Sequence, residues 1–338
     1  MVNSGMKQIP SILKIKPSWM KRLLPLVTII FLGIVSYFLY QSVANISWSQ
    51  IENALKEVSW KTIAWCFVLT ILNYFIYACY DILSFNIIRN ASLQFRKIIS
   101  STMIAFAFNL NLGALIGSIG LRYRIYSGWG IPHSKITLLT VLSTITSWSG
   151  YVLLLSGILL LRPEIISSWI PLSPWLLTIA GIAFLLFILI YLSLCLVRKE
   201  LVFRDHHFHF PPLSKGLLQL FLSSLQWTIV SVIIYYFLID LGAVVTFDAV
   251  LLSVLVSGIA GVITHIPAGL GILEAVFLQM HQNIPAPKIV AALICYRFVY
   301  YLIPLAFAVP GYLYLEYYQK NKTKRSFLSS LKERFNIP

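Results

Sequence analysis

Four charged residues stand in or beside strongly apolar sequence. Arg122 and Arg124 follow the run AFNLNLGALIGSIGL, Glu274 lies in SGIAGVITHIPAGLGILEA, and Arg297 lies in ICYRFVYYLIP. A charge at the centre of a membrane helix costs about 2.5–3.5 kcal/mol on insertion scales, so one that is retained faces a cavity, a partner or a substrate. Guanidinium groups grip phosphate through a bidentate fork, and N–H groups freed where a helix breaks add to anion binding. Glu274, three residues after Gly271, can attract a cation or close an ion-pair gate; it equally complements the positive end of its own half-helix, worth about 0.3–1 kcal/mol. Anchoring at the membrane face is the competing role for Arg122 and Arg124. Arg297 can snorkel to the interface, pair with Glu274 or take a phosphate. All of this is binding and gating chemistry. Bond-making would need a nucleophile, a paired acid and base, or a metal cluster at the same depth, and these segments offer scattered Ser and Tyr with a single Glu.

The elements that must carry these charges are membrane helices. Of 338 residues, 59% are hydrophobic and 11% charged, with mean hydropathy +0.83, and apolar stretches repeatedly reach the roughly 20 residues that cross a bilayer. They fall at 23–43, 62–84, 98–120, 136–160, 174–197, 216–241, 249–280 and 289–318, with no connection long enough for a soluble domain. Two are broken by glycine. Asn109, Gly113, Gly117 and Gly120 interrupt one; Pro267, Gly269 and Gly271 interrupt the other, and Pro304 breaks the last stretch. A broken membrane helix frees backbone groups that lipid cannot satisfy, so such segments line a protein-enclosed cavity or path and supply its hinges.

Charge asymmetry sets the orientation. The basic N-terminus (1–22), the loops with Arg89, Arg96, Lys97 and with Arg198, Lys199, Arg204, and the tail 319–338 belong in the cytoplasm by the positive-inside rule. If every stretch crossed fully, Arg122, Arg124 and Lys135 would lie outside. Reading 98–121 as a hairpin that dips in from the cytoplasm removes that conflict. The long segment 249–282 reads as a second hairpin entering from the outside. The expected fold is therefore all-α, with one membrane domain over 23–318: six spanning helices and two opposed re-entrant hairpins, as an inverted repeat would produce. Eight plain crossings are the alternative. Both arrangements keep the two termini inside.

The periphery is plainer. Residues 46–58 form an amphipathic pattern for the outer interface, and 326–335 form another, whose neighbouring lysines suit anionic inner-leaflet lipid. The net charge of +15 is accounted for by topology and lipid attraction, leaving no role for nucleic acid. The cluster His206, His207, His209 reads as a polar loop with no metal site. Cys66, Cys79, Cys195 and Cys295 lie in apolar stretches without CxxC spacing, which argues against disulfides and thiolate metal sites. No cofactor is expected, and the oligomeric state is not legible.

The phrases NLNLGALIGSIGLRYRIYSGWGI, HIPAGLGILEAVF and YRFVYYLIP, in this order and spacing, resemble the transmembrane region of lysylphosphatidylglycerol synthase, the multiple peptide resistance factor family, and its stand-alone bacterial inner-membrane forms. The resemblance extends from about residue 20 to 318, and Pro267, Gly269, Gly271 and Glu274 are its most specific part. It implies a membrane region that moves phospholipid, anionic or aminoacylated, between leaflets. The family's synthase activity resides in an appended cytoplasmic domain. About 20 residues follow Tyr318, so that domain is expected to be absent and lysyl transfer by this polypeptide is not expected. The resemblance leaves three functions open: a flippase-like transporter, a non-transporting partner of lipid-synthesis enzymes, or a membrane-embedded enzyme acting on lipid head groups.

Overall fold

In a computed structural model the described residues are 47–88, 93–167, 172–197, 200–203, 206–264, 266 and 269–335. In chain order they form α1 (Trp48–Glu57), α2 (Trp60–Ile87), α3 (Phe95–Leu112), a π-helical segment (Ala114–Leu121), α4 (Arg122–Gly128), α5 (His133–Leu161), α6 (Pro163–Ser167) and α7 (Pro174–Val197). A two-stranded ribbon, β1 (Glu200–Phe203) and β2 (His206–His209), leads to α8 (Leu213–Asp240), α9 (Phe247–Thr264), α10 (Ile272–Met280) and α11 (Ala286–Arg297). A second π-helical turn (Phe298–Leu302) joins α11 to α12 (Ile303–Phe335). The ribbon is the one departure from an all-helical chain among the described residues: the segment read as a polar loop pairs antiparallel, Glu200 opposite His209 and Phe203 opposite His206.

Six described helices are long and apolar enough to cross a membrane: Trp60–Ile87, His133–Leu161, Pro174–Val197, Leu213–Asp240, Phe247–Thr264 and the continuous Ala286–Asn321. Five coincide with expected crossings, and the expected crossing at 23–43 lies outside the described residues. α9, expected as one arm of a hairpin, meets the same length and apolarity. α3 is not among the six; Arg96, Lys97, Asn109 and Asn111 interrupt its apolar character.

Hydropathy is arranged for a lipid solvent. On α2, Trp65, Val68, Leu72 and Phe75 recur at helical spacing and are exposed, whereas Thr70, Asn73, Asp81 and Ser84 are buried. On α8 the buried set includes Gln219, Ser223, Gln226 and Ser231. Polar groups face inward because lipid cannot hydrogen-bond them, and each of those named finds a protein partner; the buried Ser224 Oγ of α8 has none among the described residues. α2 and α8, both 28 residues long, pack antiparallel at the centre. Ser59 N–H donates to Asp240 Oδ2 (2.7 Å) at one end and Lys215 Nζ to the Asn86 carbonyl (2.6 Å) at the other. Between them Asn73 Nδ2 donates to the Gln226 carbonyl (2.8 Å). α5 lies against α8, where Gly150 has no room for a side chain: an added Cβ would stand 2.2 Å from the Ser224 nitrogen.

The chain folds back on itself twice. α3 ends at Gly113 (φ +83°), and the π-helical segment then runs back along it, so closely that a Cβ on Gly117 would lie 2.0 Å from the Asn109 nitrogen. Residues eight apart in a continuous helix would be about 12 Å apart, so this contact requires reversal. The second fold-back joins α9 to α10, where Ser253 Oγ, eleven residues before the end of α9, meets Nε2 of His281, just after α10, at 2.9 Å, so the helices run antiparallel. α3 and α9 are each 18 residues long.

The amphipathic pattern at 46–58 forms α1, which buries Ile51 and Ala54 and packs against α11 while Trp48 stays exposed. The tail pattern at 326–335 continues α12 as helix.

Pro304 accounts for the second π turn. It has no N–H, so the Tyr300 carbonyl four residues earlier loses its usual donor. Tyr74 Oη supplies one at 3.1 Å, and Asn111 Nδ2 donates to the neighbouring Tyr301 carbonyl at 3.3 Å. Tyr74→Phe is expected to destabilise the protein by about 1–3 kcal/mol through the orphaned carbonyl. In a Pro304→Ala background, which restores the missing N–H, the same change is expected to cost much less. Thermal unfolding of the detergent-solubilised single and double variants measures the coupling; additive effects would remove this account of the turn.

Candidate functional site: an ion pair where the two fold-backs converge

α10 begins at Gly271, whose φ of +79° is reached readily only by glycine, and Gly269 two residues earlier has φ +56°. That entry leaves the first N–H groups of α10 unpaired, and Glu274 in the first turn reaches back to accept from the Gly271 N–H (Oε2, 3.0 Å). The same carboxylate is gripped bidentately by Arg297 at the end of α11, Nε to Oε1 at 2.6 Å and Nη2 to Oε2 at 3.0 Å. Arg297 Nη2 also donates to the Gly269 carbonyl (3.2 Å), and its guanidinium lies over the Tyr301 ring (5.6 Å). One arginine thus holds together the break, the half-helix and the helix that follows. The side chains are 14% and 19% exposed, and Leu270, Phe298 and Leu302, their neighbours in sequence, are exposed apolar residues.

The first fold-back reaches the same place. Asn111, near the end of α3, binds the Tyr301 carbonyl one turn after Arg297, so the tips of both fold-backs meet one turn of the last long helix. The Tyr301 ring touches Tyr296 and Tyr300 as well, continuing into the buried aromatic cluster around Tyr74 and Phe106.

Arg122 is elsewhere and differently engaged. It is 2% exposed and forms a second bidentate pair, with Asp81 of α2, which is 0% exposed: Nε to Oδ2 and Nη2 to Oδ1, both 3.1 Å. Thr102 of α3 (2.9 Å), Tyr126 of α4 (2.7 Å) and Ser143 of α5 (2.6 Å) also donate to the Asp81 carboxylate. The third guanidinium nitrogen donates to Ser118 Oγ, and the Tyr77 ring lies 5.6 Å from the guanidinium carbon. This arginine has its donors committed within the protein. Asp81 went unnoticed in the sequence although it lies inside the apolar stretch 62–84, the context that singled out Glu274.

Arg124, half exposed, pairs with Glu316 of α12 (2.7 Å), and Lys320 joins the same carboxylate at 3.2 Å. Of the expected hinge residues, Asn109 and Gly117 form the tight contact of the first fold-back, Gly113 its turn, and Gly120 an exposed position on the π-helical segment. Gly269 and Gly271 bracket the entry to α10, and Pro304 follows the π turn. Pro267 lies outside the described residues. Among the described residues no three His, Cys, Asp or Glu side chains are grouped to hold a metal ion.

Residues 25–308 match the lysylphosphatidylglycerol synthase TM region family. The chain is similar to inner membrane protein YbhN of Escherichia coli K12, 36% identical over 278 residues, 80% of this chain and 86% of the relative. It is also similar to the protein slr0712 of Synechocystis, 27% identical over 77% of this chain and 81% of that one. Phosphatidylglycerol lysyltransferase of Staphylococcus aureus is 23% identical over 81% of this chain, a match that spans only 32% of the transferase.

Proposed function

Because this chain belongs to the lysylphosphatidylglycerol synthase transmembrane region family, we propose that it is a multi-pass inner-membrane protein that binds a phospholipid or lipid-linked substrate and moves it between leaflets. The observation that carries this reading is the Glu274–Arg297 pair. It is partly exposed, flanked by exposed apolar residues, and met by the tips of both fold-backs. A soluble solute would be served by a water-filled polar vestibule. A charged pair edged by apolar surface suits an amphiphile whose head group enters while its chains stay in the bilayer. The inner-membrane location follows the printed name of the E. coli relative. The ion pairs and carbonyl contacts of the site suit binding rather than head-group synthesis.

In this reading the fold-backs are re-entrant hairpins of an inverted repeat, and repeated contacts support it. Trp227 stands 153 positions after Tyr74, and Tyr300 stands 153 after Ser147. Tyr74 Oη donates to the Tyr300 carbonyl at 3.1 Å, and Trp227 Nε1 donates to the Ser147 carbonyl at 3.0 Å, one contact made twice with the halves exchanged. Asn73 and Gln226, also 153 apart, touch each other. Equal lengths of α2 and α8, and of α3 and α9, follow the same correspondence. Antiparallel α2 and α8 then relate the halves by an axis in the membrane plane, so one hairpin enters from the cytoplasm and the other from outside.

Topology and transport are tested separately. In a cysteine-free background, Ser134→Cys is expected to react with an impermeant maleimide only from the cytoplasmic side; labelling from outside would replace the first hairpin by a full crossing. In proteoliposomes, fluorescent phospholipid is expected to become accessible to an external quencher faster than in empty vesicles, and equal rates would sink the transport reading.

A further inference from the structure

Resting on the reading of the fold-backs as hairpins that enter from opposite faces, we propose that each is latched at its own face by one exposed ion pair to the long helix of the other half. Releasing one latch opens that face alone. Arg162 closes α5 in the first half, and its Nη2 lies 3.2 Å from Oδ2 of Asp248, the second residue of α9 in the second hairpin. Arg124 on α4, the returning arm of the first hairpin, lies 2.7 Å from Glu316 of α12 in the second half. Glu316 stands 154 positions after Arg162, one off the repeat of 153, so both long helices carry a latch charge at the same station. The signs are exchanged. The long helix is positive at this station in the first half and negative in the second, and each hairpin supplies the opposite charge.

Burial separates a latch from a scaffold. The Asp81–Arg122 pair is sealed, and breaking it strands a charge. Arg162 and Arg124 are 55% and 59% exposed, so water takes up either guanidinium as its bond breaks, and an exposed pair opens at little cost. Each long helix also places a second partner beside its latch charge. Glu164 Oε1 lies 3.7 Å from Arg162, and Lys320 Nζ lies 3.2 Å from Glu316. When Asp248 or Arg124 moves off with its hairpin, the charge left on the long helix keeps a neighbour of opposite sign. Both pairs stand at the open ends of the hairpin arms. Ser253 and His281 join the arms of the second hairpin five residues beyond Asp248, and Thr102 and Tyr126 (3.0 Å) join those of the first two residues beyond Arg124. The inner mouth has a further tie, Gln319 Nε2 donating to the Ile125 carbonyl at 3.1 Å.

The test uses the full chain, cysteine-free except for one reporter, and an impermeant maleimide applied to cells for the outer face and to inverted membrane vesicles for the inner. Ser257→Cys on α9 reports the outer mouth and Ser101→Cys on α3 the inner one; the two serines are buried, 8% and 1% exposed. Arg162→Gln, which leaves Asp248 in place at the start of α9, is expected to raise labelling at position 257 from outside about two- to fivefold and leave position 101 unchanged. Arg124→Gln with Gln319→Ala is expected to do the reverse from the cytoplasmic side. No change at either reporter, or a rise at both in either variant, would overturn the latches. Labelling needs no lipid movement, so the two readings fail separately: mouths that open as expected in a protein that exchanges no lipid would overturn transport and leave the latches standing. In protein that does exchange lipid, a short bis-maleimide joining Arg162→Cys to Asp248→Cys is expected to slow exchange on the order of tenfold or more, and undiminished exchange counts against the proposal.

Discussion

Asp81→Ala is expected to remove most of the folded protein from the membrane. The carboxylate takes two bonds from Arg122 and one each from Thr102, Tyr126 and Ser143, so a single side chain of α2 ties together α3, α4 and α5. Its loss strands a guanidinium that is 2% exposed. Breaking a buried pair in this way costs about 3–5 kcal/mol, a large share of the roughly 5–15 kcal/mol that holds a domain folded. Removing both charges is a different experiment. Asp81→Leu with Arg122→Met fills the space without a stranded ion, and replacing buried pairs by apolar groups is often neutral. The double variant is therefore expected to regain much of the single variant's loss. Yield and melting of the solubilised protein, followed by size-exclusion chromatography, decide the matter; a single variant that melts like the unaltered protein would remove Asp81 from the structural centre.

Glu274→Gln and Arg297→Gln are expected to act on transport far more than on folding. Their side chains keep some exposure, so a stranded partner can relax toward the exposed surface instead of unfolding the bundle. Truncating one member of a hydrogen-bonded charge pair that meets a ligand costs about 2–5 kcal/mol, which corresponds to a fall of roughly thirtyfold or more in a binding-limited rate. The exchanged double variant, Glu274→Arg with Arg297→Glu, keeps the pair but loses the contacts to Gly269 and Gly271, and it is expected to fold and transport poorly. Leaflet exchange in proteoliposomes, normalised to protein that elutes as a single species, measures both effects. Unchanged exchange in Glu274→Gln would relieve the pair of any part in the lipid path.

Most of the bundle was legible because apolar length, glycine breaks and basic loops are local properties of the chain. The charged ends of the site were legible for the same reason: Glu274 and Arg297 each stand out against apolar neighbours. Partners were not. Asp81 and Arg122 are far apart in sequence, and a lone aspartate in YACYDILSF says nothing about which helix will answer it. The cost that drew attention to Glu274 applies equally to Asp81 and would have found it. Asn73, Gln226 and Tyr74 are uncharged, carry little insertion cost, and gain meaning only once α2 lies against α8 and the π turn. Pro304 announces that a carbonyl will lack its donor, but only packing reveals that a tyrosine from α2 supplies it.

The contact between Asn73 and Gln226 bears on how such a chain could have arisen. If the two halves descend from one sequence inserted in both orientations, the position on the axis once met an identical copy of itself. A carboxylate there would repel its twin, and so would an ammonium. A carboxamide carries no charge and can donate to the backbone carbonyl of its own image, as Asn73 Nδ2 donates to the Gln226 carbonyl here. Asparagine and glutamine stand at positions 73 and 226, the residue types that such a self-facing ancestor would have tolerated.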